Sequence, residues 1–141
     1  MKTRLTKDVA FLKPFLKGVR SLVPLRKVTL IRGYRVAKGL NELSYASIIR
    51  KSKNDYRINL QTQFLIDNGK KHHYMTLEKI LINLAHELAH LKGWDHPDYH
   101  RPYHFKLQSK IMLHFSKKLS KLKIKDHSIR IDRFRSKNAK R

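Results

Sequence analysis

His86, Glu87, His90 and His96 fall within the stretch HELAHLKGWDH, residues 86 to 96, and together offer three imidazoles and a carboxylate at spacings that can hold and use a metal ion. On a helix, His86 and His90 are one turn apart and project from the same face, with Glu87 about 100° further round. A divalent ion bound by neutral imidazoles keeps its full charge. It lowers the pKa of bound water toward about 7 and polarises a carbonyl or phosphoryl oxygen. A carboxylate within hydrogen-bonding reach can take the water's proton and return it to a leaving group, and Glu87 is placed for that role. The chain has no cysteine, so disulfides and thiolate zinc sites are excluded and a transition metal must be held by His, Asp or Glu. One zinc ion per chain is the expected cofactor, with His86, His90 and His96 as ligands.

The third ligand has competitors. HPDYHRPYH places His96, His100 and His104 at four-residue intervals just beyond the motif helix. His96 comes first because Gly93 provides a helix stop that lets the chain fold back. His100 is the alternative, and His104 ranks last because it begins the next expected helix. His72 and His73, in a polar loop, and His114 and His127, without partners at ligand spacing, read as surface residues.

A helix with a capped start and one apolar side must position the motif. Thr76 is the expected N-cap, with Glu78 in the first turn, where the helix dipole favours an anion. Leu77, Ile80, Leu81, Leu84, Leu88 and Leu91 form one stripe, and Asn83, His86, Glu87 and His90 lie opposite. Upstream, SYASIIR and YRINLQTQF flank KSKND between Ser44 and Phe64, and the alternation of the second run predicts a hairpin with one buried face. Asp67-Asn68-Gly69 supplies turn residues before Lys70 to Tyr74. Val28 to Val36 reads as a strand interrupted at Gly33, and Val9 to Val23 as helical, with Pro14 in its first turn. Tyr103 to Leu122 carries Ile111, Met112, Phe115, Leu119 and Leu122 at helical spacing. Near the C-terminus, SIRIDRF is a short alternating segment expected to order only on a partner.

A length of 141 residues with 40% hydrophobic content fits one domain of α+β class, a small mixed or antiparallel sheet packed on the motif helix. Three segments are expected within it: a basic, partly helical N-terminal extension (1–40), a catalytic core (41–116), and a basic helix end and tail (117–141). The net charge is +23, divided as +10 over residues 1–40, +4 over 41–116 and +9 over 117–141. So large an excess favours a polyanionic partner, and nucleic acid, DNA or RNA, is expected through the basic N- and C-terminal segments. No apolar run is long enough to span a membrane and no secretory signal is visible. The expected setting is intracellular, cytoplasmic or associated with a nucleoid or nucleoprotein, without membrane contact. Oligomeric state is not legible.

On these residues the sequence resembles the zincin metallopeptidases. HELAH and the following His96, the preceding strand YRINLQTQF and the following FKLQSKIM are similar to the small SprT-like, YgjP-like and WLM-type group over about residues 44 to 115. The resemblance implies a zincin-like fold, Glu87 as general base, a polypeptide substrate laid along the strand before the helix, and peptide hydrolysis near DNA. Two departures stand out. The aromatic residue common four positions after the third His is replaced here by His100, with Phe105 later. HExxHxxGxxH is also the metzincin pattern, but Met112 falls inside an expected helix and not in a turn below the metal. HLKGWDH is similar to a segment of the YbeY-type endoribonucleases, which implies a metal-dependent RNA-cleaving alternative, although those carry Gly where this chain has Glu87. A non-catalytic basic subunit of a nucleoprotein assembly, with a structural metal site, is the third reading.

Overall fold

A computed structural model describes residues 3–5, 7–23, 27–36, 46–52, 55–66, 70–93, 103–126 and 128–138. In chain order these form β1 (Thr3–Leu5), a 3-10 segment at Lys7–Leu12, α1 (Lys13–Leu16), a second 3-10 segment at Val19–Ser21, β2 (Lys27–Val36), β3 (Ala46–Ser52), β4 (Asp55–Ile66), β5 (Lys71–Tyr74), α2 (Leu77–Gly93), α3 (Tyr103–Lys121) and α4 (Ile131–Asn138). The class is mixed α+β.

The alternating run after Asp55 becomes the axis of the sheet. β2 pairs parallel along nearly all of β4, from Lys27 opposite Asp55 to Val36 opposite Leu65, and β1 adds to β2, also in parallel. The other edge of β4 is divided between two antiparallel strands, β3 against Asp55–Leu60 and β5 against Gln63–Ile66. The strand order is β1-β2-β4-β3, with β5 beside the far half of β4. The interruption expected at Gly33 is a register shift between Gly33 and Tyr34 within a continuous β2. On β4, Tyr56, Ile58, Leu60 and Thr62 are buried while Arg57, Asn59, Gln61 and Gln63 are only partly so.

α2 packs its apolar stripe on that buried face. Leu77, Ile80, Leu81, Leu84, Leu88 and Leu91 are all 5% exposed or less, as their spacing requires. Thr76 caps the helix, its Oγ1 accepting from the Lys79 backbone N–H at 3.2 Å. α3 presents His104, Leu107, Ile111, Phe115 and Leu119 to the core, and Met112 is within this helix.

Both basic ends enter the same core. Val9, Leu12, Phe15, Leu16, Val19 and Val23 are buried, and Phe15 meets Phe115 edge-on at 6.2 Å between centroids. The helical pattern from Val9 to Val23 is realised as short 3-10 and α segments, with Pro14 in the first turn of α1. Gly18, at φ 90°, makes the break, and a Cβ there would meet His114 Cε1 at 3.0 Å. His114 is not a solitary surface residue. Its Nε2–H donates to the Lys17 carbonyl at 2.9 Å, tying α3 to the N-terminal segment.

The SIRIDRF segment is ordered on its own chain, contrary to expectation. The Leu77 N–H donates to the Ile129 carbonyl and the Ile131 N–H to the Met75 carbonyl, at 2.9 and 2.8 Å, around a bridge between Thr76 and Arg130. Ile131 and Phe134 are buried, and Phe134 packs edge-on against Phe11. Apolar residues at 129, 131 and 134 find a docking site at the start of α2, so no external partner is required to order them. Among the described residues no helix is long and apolar enough to cross a membrane.

Candidate metal centre

Three histidines meet where α2 and α3 pack together. His86 and His90 come from α2, and His104 comes from the first turn of α3. One ring nitrogen from each lies within 4.8 Å of the other two, close enough to hold a metal ion. Ring centroids are 5.1 Å apart for His86 and His90, 4.6 Å for His86 and His104, and 4.3 Å for His90 and His104. Exposure falls across the group: His86 is exposed, His90 intermediate and His104 only 4% exposed. The cluster therefore runs from an exposed imidazole to a buried one.

Hydrogen bonds orient two of the rings. The Nε2–H of His104 donates to the His86 carbonyl at 3.0 Å, which leaves Nδ1 as its ligand atom. The Nδ1–H of His86 donates to Gln108 Oε1 at 3.2 Å, which leaves Nε2 as its ligand atom. Such outer partners fix tautomer and ring direction and raise the basicity of the ligating nitrogen. The donor set, three imidazoles, fits zinc or another first-row divalent ion.

Glu87 is buried, at 7% exposure. Its position about 100° round from His86 places it at the border between the histidine face and the stripe of Ile80 and Leu91. Burial pushes its carboxyl above the usual carboxylate range, with the neighbouring His86 working in the opposite direction. Asn83, one turn before Glu87, carries a buried Nδ2 with no hydrogen-bond partner among the described residues.

The expected pair His86 and His90, with Glu87 beside them, is thus assembled on one helix. His96 and His100, the expected third ligand and its alternative, lie outside the described residues, as does His127. His72 and His73, expected in a polar loop, instead belong to strand β5 and pair with Leu65 and Phe64 of β4. Among the described residues, His104, the last of the three candidates, is the histidine that joins the pair. Gln108 was not singled out from the sequence. The signal for both was available: His104 and Gln108 are four residues apart, and His104 lies on the stripe shared by Leu107, Ile111 and Phe115, so both face whatever α3 packs against.

Comparison with known proteins gave no match: no family model, no curated protein and no solved structure is significantly similar to the chain.

Proposed function

We propose that the chain is a zinc-dependent metallopeptidase with zincin-like architecture, acting on polypeptide near nucleic acid. The observation that carries this reading is the meeting of His86, His90 and His104 within 4.8 Å, with the buried Glu87 next to His86. His86, His90 and His104 would hold the zinc ion, which when bound would supply the Lewis acidity for water activation and for polarising a peptide carbonyl. Glu87 takes the proton of the attacking water and passes it to the leaving amine.

The strand expected to carry the substrate, YRINLQTQF, is β4, which is paired along both edges and so cannot accept a peptide. The free edge beside it in the described sheet belongs to β3. β3 is the last strand on its side of the described sheet, antiparallel to β4, and α2 packs against both. An extended peptide can add to such an edge through main-chain hydrogen bonds.

The test is Glu87→Gln with zinc content measured alongside. Retained zinc with proteolysis of an unfolded protein reduced by about 100-fold or more supports the proposal. Full proteolysis in the variant, or protein that neither contains nor takes up zinc, overturns it. The net charge of +23 favours one second reading, a YbeY-like endoribonuclease. Cleavage of structured RNA that depends on His86 and His90, without proteolysis, would establish that reading instead.

A further inference from the structure

We infer that the flank of α3 beside His114, together with α1, is a docking face for the phosphate backbone of nucleic acid. This deepens the nucleic-acid part of the reading above and is independent of the peptidase part.

The helical positions define the face. Taking His114 as zero, Lys106, Lys110, Lys117 and Lys121 fall within about 60° of one another, at about 20° to 80° on the side away from the buried stripe. All four are exposed. They extend along roughly 22 Å of helix, a length that on one DNA strand carries about six phosphates. His114 itself marks where the N-terminal segment crosses, because its Nε2–H donates to the Lys17 carbonyl. Exposed Lys13, Lys17 and Arg20 therefore adjoin the lysine row, and the three also line a cavity of about 440 Å³ with Leu5, Pro14 and Leu16.

Charge complementarity identifies the partner class. The sequence has no Asp or Glu from Val9 to Asn41 or from Tyr103 to Lys125, so both segments that build the face carry cations alone. Ser109, Ser116 and Ser120 are exposed on the far side of the row and offer hydroxyl donors of the kind that contact phosphate. A lipid surface is the weaker match. The two large exposed apolar residues of α3, Phe105 and Leu113, lie about 80° apart round the helix and form no continuous apolar face for insertion.

The experiment uses the full chain and labelled 20-nucleotide DNA and RNA, single- and double-stranded, titrated by fluorescence anisotropy from 50 to 300 mM salt. Lys106→Gln/Lys110→Gln/Lys117→Gln is compared with Lys70→Gln/Lys71→Gln/Lys79→Gln, which removes the same charge from exposed positions at the start of β5 and on α2. The row variant is expected to bind at least about 10-fold more weakly at 100 mM salt, with a salt slope shallower by about one per contacting lysine. The control is expected to stay within about threefold of the parent. Equal losses in both variants, an unchanged slope in the row variant, or binding to phosphatidylserine vesicles but to none of the nucleic acids would overturn the inference. Melting temperature and zinc content establish that both variants are folded. Proteolysis is a separate readout, so failure of either proposal is distinguishable from failure of the other.

Discussion

Gln108 on α3 reaches across to α2 and accepts the Nδ1–H of His86 at 3.2 Å. The same two helices are joined a turn earlier by the bond from His104 to the His86 carbonyl. His86 is therefore gripped at its ring and at its backbone by two residues four apart on one facing helix. The orientation of the most exposed histidine of the cluster does not rest on its own helix alone.

Gln108→Ala should lower zinc affinity by about 10- to 100-fold while leaving the far-ultraviolet circular dichroism unchanged. Competition with a chromophoric chelator measures it. An affinity equal to the parent's would mean that the bond to His86 has no part in the site.

Replacing His104 by Ala should weaken zinc binding more than the Gln108 change, beyond the roughly 100-fold upper end expected for an outer partner. His96→Ala and His100→Ala should each stay within a few-fold of the parent. If either of these loses zinc to the same degree as His104→Ala, that residue and not His104 completes the triad.

Phe134→Ala should cost about 3 kcal/mol and lower the melting temperature by roughly 10 °C, because a large buried ring against Phe11 is removed. A change of under 2 °C would show that α4 is not docked in solution.

Asp132 gives a pH dependence whose sign is fixed. Bidentate hydrogen bonds from Arg130, at 2.9 and 2.7 Å, hold its carboxyl below the usual carboxylate range. A depressed folded-state pKa contributes stability above the unfolded value near 4, and that contribution is lost as pH falls through the folded value. The pair is partly solvent-exposed, so the effect is small. Thermal melts from about pH 6 down to about pH 2.5 should show the parent above Asp132→Asn at the upper end and the two converging in acid. Parallel curves throughout would remove the ion pair from the account.

How much of this was readable in the chain differs from element to element. The stripe from Leu77 to Leu91 and the alternation from Tyr56 to Leu60 identify α2 and β4 because burial imposes a period on each. His86, Glu87 and His90 follow from that same period. His104 does not: a chain reversal at Gly93 points to His96 or His100, which lie outside the described residues, whereas His104 is brought to the pair by the packing of a second helix. A packed second helix positions a side chain at least as firmly, but which face of α3 meets α2 is a tertiary fact. Ile129, Ile131 and Phe134 were likewise visible as apolar residues in a basic tail. Their docking partner, the backbone at Met75 to Leu77, carries no side-chain signature of an acceptor edge.

That docking also bears on what a shortened chain would keep. The entrance to the helix that carries His86, Glu87 and His90 is held by a backbone bridge between Thr76 and Arg130, residues far apart along the chain. Closing a loop of that length costs chain entropy that the docked residues must offset. A chain shortened to Asp126 would keep His86, His90 and His104 but lose the backbone bridge and the two hydrogen bonds that hold the first turn of their helix.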